Sequence, residues 1–345
     1  MKTLKNLLLI ITLPISITVQ GQENKPYLVK SFPTETIKNV LVKTSGGNIE
    51  LLGSNNTINR VEVFINGNNG KWNSLTKEEI TERLSAYDLD ISVNYQQLVA
   101  SAKPKSNNHN WKKQLSISFK IFVAKQVSSD MKTSGGNIHL VGLSGVHNFK
   151  TSGGNLQVER VAGDIQGRTS GGNIDVSDCQ KNINLETSGG NISAQNCVGI
   201  LKLNTSGGNL DLGKLSGSIH ASTSGGNIEG DAIQGDFITG TSGGNVDLHN
   251  LSCSLDVCTS SGDIQVEVTK LSKFVKIRSG GGNVNLQIAN ESGLNLDLKG
   301  DKIRTNALKN FSGTKTEERI EGKLNGGGVP VVVHVSGGNI DFNVE

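Results

Sequence analysis

The pentapeptide TSGGN starts at Thr44 and again at Thr133, Thr151, Thr169, Thr187, Thr205, Thr223 and Thr241. From Thr133 onward every step is eighteen residues, and a degenerate TSSGDI at Thr259 keeps it. Looser copies, SGGGNV at Ser279 and VSGGNI at Val335, follow. A unit this short has no core of its own and is stable only when stacked on its neighbours. The period therefore predicts one elongated array within the 345 residues, where length alone would allow two or three domains.

Counted from the residue after GGN, one unit reads Ile174, Val176, Cys179, Ile183, Leu185, Thr187, and the next Ile192, Ala194, Cys197, Leu201, Leu203, Thr205. Apolar residues recur at offsets zero, two, five, nine and eleven, with threonine at thirteen and polar residues between. Alternation with period two is a strand signal, and nothing in the unit has helical spacing. Each unit predicts a short strand after GGN and a longer one ending at TS. Eighteen residues leave no room for a crossover helix, so each strand must pair in parallel with its copy in the next unit. The predicted fold is all-β: a parallel β-solenoid of eighteen-residue coils rising about 4.8 Å each, wound right-handed by the general preference of parallel crossovers. Whether the coil has two or three sides is left open.

On this reading TSGGN is a corner. Paired glycines permit positive φ, the threonine turns its methyl inward, and the asparagines Asn137, Asn155, Asn173, Asn191, Asn209, Asn227 and Asn245 stack as a hydrogen-bonding column.

The array is interrupted between Leu52 and Thr133. SLTKEEITERLSAY carries a capping box from Thr76 to Glu79, with Ile80, Leu84 and Tyr87 on one face, which predicts a helix over about 77–86. Alternating stretches around it read as strands. Nine of the fourteen aromatics (Tyr27, Phe32, Phe64, Trp72, Tyr87, Tyr95, Trp111, Phe119, Phe122) precede residue 123, suggesting a cap with its own aromatic core. Near the C-terminus, the polar stretch from Leu298 to Gly328 reads as irregular before strand pattern resumes. The expected organisation is a signal peptide at 1–21, a first coil with a helix-containing cap over 22–130, and the repeat array with an irregular closing segment over 131–345.

The signal peptide rests on Lys2 and Lys5, an apolar run from Leu7 to Val19 broken by Pro14, and a cleavage site near Gly21. The run is too short to span a membrane, which takes roughly 20 apolar residues. The expectation is export to the periplasm, cell surface or medium, without a transmembrane segment in the mature chain. Four cysteines are few for a disulfide scaffold. Cys179 and Cys197 lie one period apart and should stack, either as buried fillers or as a bridge in an oxidising compartment. Cys253 and Cys258 occupy different repeat positions and should face different ways.

The succession of an N-terminal strand, a TSGGNI coil, a helix-containing insertion, many TSGGNI and TSSGDI coils and a closing GGGVPVVVHVSGGNIDF resembles the putative-adhesin repeat domain of exported bacterial proteins, from about Lys30 to the end. The resemblance implies a parallel β-solenoid in a surface or periplasmic setting and supplies no catalytic residue or ligand.

No catalytic, cofactor-binding or metal-binding residue is assigned. The six histidines lack metal-ligand spacing, and His147 falls at an inward position. The corners lack the regular aspartate of calcium-binding β-rolls. The outward column His139, Gln157, Asp175, Ser193, Asp211, Glu229, Asp247 holds carboxylates among neutral residues, without basic partners, which argues against glycosidase chemistry. A net charge of +3 with interspersed signs gives no nucleic-acid footprint. The expected function is a non-enzymatic structural or adhesion-like module contacting an unidentified surface macromolecule or glycan. A carbohydrate-binding or carbohydrate-active solenoid is the alternative. Ice binding through the Thr/Ser column is disfavoured, because parity turns the threonines inward.

Overall fold

In the computed structural model, residues 25–55, 58–67, 75–105, 114–289 and 293–344 are described. The segment read as a signal peptide lies outside them, as do Trp72, His109 and Trp111. Each regular coil contributes one strand to each of two parallel sheets. In the coil around Cys179 these are Ile174–Ser177 and Gln180–Glu186. Pairing steps by one repeat: Ile174 opposite Ile192 in the short-strand sheet, Ile183 opposite Leu201 in the long-strand sheet. The inward offsets are buried as the alternation requires, with Ile174, Val176, Cys179, Ile183, Leu185 and Thr187 all at most 2% exposed. One hydrophobic cluster runs from Ile37 to Phe342.

The two corners of a coil work differently. At TSGGN the glycines of the regular coils keep φ negative, so freedom to adopt positive φ is not why they are there. The first glycine is unconstrained: a Cβ on Gly189 would meet nothing nearer than 3.6 Å. The second lies against the coil below, where a Cβ on Gly190 would stand 2.0 Å from the Gly172 carbonyl oxygen. Left-handed backbone belongs to the opposite corner, at Gly142, Arg160, Asp178, Asn196, Lys214, Ala232 and Asn250, all eighteen residues apart with φ between 52° and 67°. Only some of these residue types favour that conformation, so the sequence does not announce this corner.

The array changes near its end. Val246–Thr259 runs through both sheets as one strand, with a register shift between Leu248 and Leu251. The next step of the corner column, Asp263 to Asn283, is 20 residues instead of eighteen.

Both ends are closed by a chain that runs outward and returns. The coil Asn39–Lys43 and Ile49–Ser54 lies between the later Ser128–Lys132 and Ile138–Val141 on one side and Gln97–Pro104 and Leu115–Ala124 on the other. Antiparallel strands then cover the edges: Tyr87–Asn94 on the long-strand sheet, Arg60–Gly67 and Leu28–Ser31 on the short-strand sheet. At the C-terminal end, Val329–Val335 and Asn339–Val344 insert between the coil at 275–288 and the strands Leu294–Lys299 and Lys302–Thr305. The antiparallel pair Arg319–Leu324 and Phe311–Lys315 completes the cover. Open parallel edges would template association with other chains. The antiparallel strands cover both sheets at the N-terminal end and the long-strand sheet at the C-terminal end, where the four-residue strand Lys302–Thr305 is the edge of the short-strand sheet.

Two expectations change here. The segment read as irregular holds strands, because Leu294, Leu296, Leu298 and Ile303 alternate inward and Ile320 and Leu324 bury the returning strand. The cap's core is aliphatic rather than aromatic. Val61, Val63, Ile65, Leu98, Ile117 and Ile121 are buried, whereas Phe119 is the one buried aromatic among the described cap residues and Tyr95 is fully exposed at a hairpin tip. The helix spans Lys77–Leu84 with the capping box formed: Glu79 N donates to Thr76 Oγ1 at 3.2 Å and Thr76 N to Glu79 Oε2 at 2.9 Å. Ile80 and Leu84 pack against the core.

Candidate functional site

At each corner the repeated polar groups bind backbone. The Thr151 hydroxyl donates to the Gly136 carbonyl at 2.8 Å and accepts from Gly154 N at 3.3 Å, joining two coils. The same pair of bonds recurs at Thr169, Thr187, Thr205, Thr223 and Thr241. These threonines are buried and form no outward array, so they offer no surface to ice.

The asparagines are exposed and form a side-chain-to-backbone ladder. Asn137 N donates to Asn48 Oδ1 at 2.9 Å, and Asn155 N to Asn137 Oδ1 at 2.8 Å. Asn173, Asn191, Asn209, Asn227 and Asn245 continue it at 2.8–2.9 Å, and Asp263 N donates to Asn245 Oδ1 at 3.0 Å. Each Oδ1 is thus engaged by the backbone of the next coil. Among the described residues no group of three or more His, Cys, Asp or Glu is placed to hold a metal.

Cys179 and Cys197 are buried free thiols on one inward column with Val161 and Leu215. Cys179 Sγ donates to the Ser177 carbonyl at 3.2 Å and Cys197 Sγ to that of Gln195 at 3.3 Å. Contact with the Cys197 thiol, together with burial, holds the Cys179 thiol well above the ordinary thiol range. Cys253 is buried, and burial pushes its thiol up to about 12, whereas Cys258 is exposed. His147 is fully buried between Ser129 and Ile165 of its column. Its Nδ1 lies 2.9 Å from Ser129 Oγ and its Nε2 has no partner. Burial lowers its pKa to about 4, so it is neutral core material.

The outer face of the short-strand sheet is more connected than its column of residues suggested. His139 Nε2 stands 3.3 Å from Glu159 and its Nδ1 4.0 Å from Glu50, which pairs with Lys120 at 3.1 Å. His249 bridges Asp247 at 2.8 Å and Glu267 at 3.3 Å. Glu159, His249 and Glu267 belong to the column two residues along the strand, which faces the same way and which a single-column reading omits, while Glu50 and Lys120 extend the His139 column itself into the cap. Asp175 has its pKa raised by burial. A pocket of about 260 Å³ lies beside Glu50, Phe64 and Lys120. On the long-strand sheet a groove of about 510 Å³ runs along Lys132, Lys150 and Arg168. No helix among the described residues is long and apolar enough to cross a membrane.

Comparison with known proteins gives three results. Residues 236–343 match the family described as Toastrack DUF4097. No curated protein matches. Among solved structures, a crystal structure described as a putative adhesin from Bacteroides fragilis NCTC 9343 shares 15% identity with a TM-score of 0.37, covering 76% of this chain and 96% of that one. A structure described as a putative cell adhesion protein from Clostridium sporogenes ATCC 15579 shares 11% identity with a TM-score of 0.19, covering 93% and 100%. The match over residues 236–343 is in line with the putative-adhesin repeat family that the TSGGNI and TSSGDI coils resemble.

Proposed function

We propose that this protein is an exported, non-enzymatic, adhesion-like module that binds a partner at the cell envelope or surface through its long sheet faces. One observation carries the reading. The threonine hydroxyls and the asparagine Oδ1 atoms are engaged in coil-to-coil bonds, and the chain presents to a partner two regular outer faces whose side chains stand at fixed pitch. Solenoids commonly bind through such extended surfaces. The N-terminal pattern of Lys2, Lys5 and the apolar run supports export. Fractionation of the native cell into cytoplasm, periplasm, membranes and medium tests it. The mature chain is expected outside the cytoplasm with residues up to about Gly21 removed, and an uncleaved cytoplasmic protein would overturn the reading.

A further inference from the structure

The residue preceding TSGGN is basic in the first four copies: Lys43, Lys132, Lys150 and Arg168. After that it is Glu186, Asn204, Ser222 and Gly240. The fold stacks these positions directly, Lys43 opposite Lys132, Lys132 opposite Lys150, Lys150 opposite Arg168, on the outer face of the long-strand sheet. Four cations therefore stand in file over about 14 Å, three steps of roughly 4.8 Å. Like charges in direct cross-strand register repel one another. Relief within the chain is partial: Asp130 stands 4.0 Å from Lys132, and Arg168 pairs with Glu186, while Lys43 and Lys150 have no ion pair among the described residues. The file is bounded by acids. Arg168 is followed by Glu186, and beyond Lys43 come Ser101 and then the exposed Asp90.

The adjacent column completes a binding surface. Asn148, Gln166 and Asn184 run beside the cations and line the same groove, in a column that Asp130 begins. Amides at that pitch donate to and accept from hydroxyl groups, and the cations meet acid groups. The neighbouring aromatic, Phe149, is 3% exposed and offers no ring for base stacking.

We infer that this groove binds a linear acidic polysaccharide lying along the solenoid axis, its carboxylate or sulfate groups on the Lys43–Lys132–Lys150–Arg168 file and its hydroxyls on the amide column. This rests on the surface-binding function proposed above and names its partner chemistry. An extended glycan with an acid group on each sugar presents charges in single file, as the protein does. The flanking acids limit the engaged stretch to about four charges.

The test measures binding of the purified chain, without residues 1–21, to polygalacturonate, dextran sulfate, uncharged dextran and a single-stranded oligonucleotide of matched charge, at several salt concentrations. The expected result is salt-weakened binding to one or both acidic glycans and none to dextran. Preference between the first two identifies carboxylate or sulfate. Lys150→Glu with Arg168→Glu should weaken binding at least roughly tenfold, because each lost contact removes its own counterion release. Lys150→Gln with Arg168→Gln should weaken it less, and Lys299→Glu, on a remote strand, should not change it. Circular dichroism of each variant establishes that it is folded. Failure to bind either acidic glycan, unchanged binding by the folded double variants, or stronger binding of the oligonucleotide would overturn the inference. The fractionation outcome is independent: an exported protein that ignores acidic glycans sinks this inference alone, and a cytoplasmic one sinks the proposed function whatever it binds.

Discussion

Adding one methyl group to either glycine of the same corner should have opposite effects. Gly190 is the second glycine of its pair, and a Cβ there would lie 2.0 Å from the Gly172 carbonyl oxygen, 2.5 Å from its carbon and 2.8 Å from Asn173 N. All three are backbone atoms of the coil below, so no side chain can swing aside. Reaching an acceptable contact opens the stack locally by about an ångström, across bonds that are 2.8 Å from Thr187 Oγ1 to Gly172 O and 2.9 Å from both Asn191 N to Asn173 Oδ1 and Ile174 N to Asn191 O. Losing three such bonds at about 1 kcal/mol each gives roughly 3 kcal/mol. The reduced freedom of the unfolded chain returns about 0.4–1 kcal/mol of it. Gly190→Ala should therefore lose about 2–3 kcal/mol. Gly189→Ala meets nothing closer than 3.6 Å and has negative φ, so it should be neutral or gain about 0.4–1 kcal/mol. Urea unfolding followed by circular dichroism gives the comparison, and hydrogen exchange at Ile174 and Asn191 localises it. Equal effects of the two substitutions would refute close axial approach as the reason for the second glycine.

Two further outcomes follow from the interior and the corner. Because burial lowers the His147 pKa to about 4 from an unfolded value near 6.5, the unfolded chain binds the extra proton between those pH values. Stability is thus lost as pH falls through this window, by about 3 kcal/mol at the lower end. His147→Ile with Ser129→Ala removes the orphaned Nε2 and the hydroxyl it would strand, so denaturant midpoints measured from pH 7 to pH 4 should fall less steeply than in the parent. Parallel profiles would contradict the burial argument. Asn191→Leu deletes the acceptor of Asn209 N at an exposed corner and should cost about 1 kcal/mol. Asn191→Asp should stay near the parent, since Asp263 already accepts from Asn283 N at 2.7 Å. A melt in which aspartate is as damaging as leucine would remove the ladder's role.

The sequence made the coil legible because its inward positions are selected by one physical demand, burial at fixed parity. Ile174, Val176, Ile183 and Leu185 needed nothing but their spacing to be placed. Spacing locates the corner glycines but not their cause: a close approach between coils leaves the same residue type as a positive φ, and it is the approach that the structure shows. The left-handed corner was hidden because Arg160, Lys214 and Ala232 share its conformation with Asn196 and Asn250. The outward-and-back threading at both ends was hidden too, since Leu294–Lys299 and Val329–Val335 are ordinary strands whose spatial order is not their chain order. Of the binding surface, the four basic residues before TSGGN were in plain view. They acquire meaning only once stacking puts them in one file.

The stacked coil itself is tested most directly by two deletions. Removing residues 187–204 takes out one period and joins Glu186 to Thr205, and Glu186 already occupies the rung equivalent to Asn204. Every later side chain keeps its inward or outward parity, so the protein should remain folded and monodisperse, losing about one coil's intrinsic and neighbour terms. Removing residues 187–203 leaves Asn204 where a threonine must face the core and slips the strand by one residue. That protein should be strongly destabilised or aggregated in circular dichroism melts and size-exclusion profiles. If the two deletions behave alike, the eighteen-residue stacked coil is contradicted.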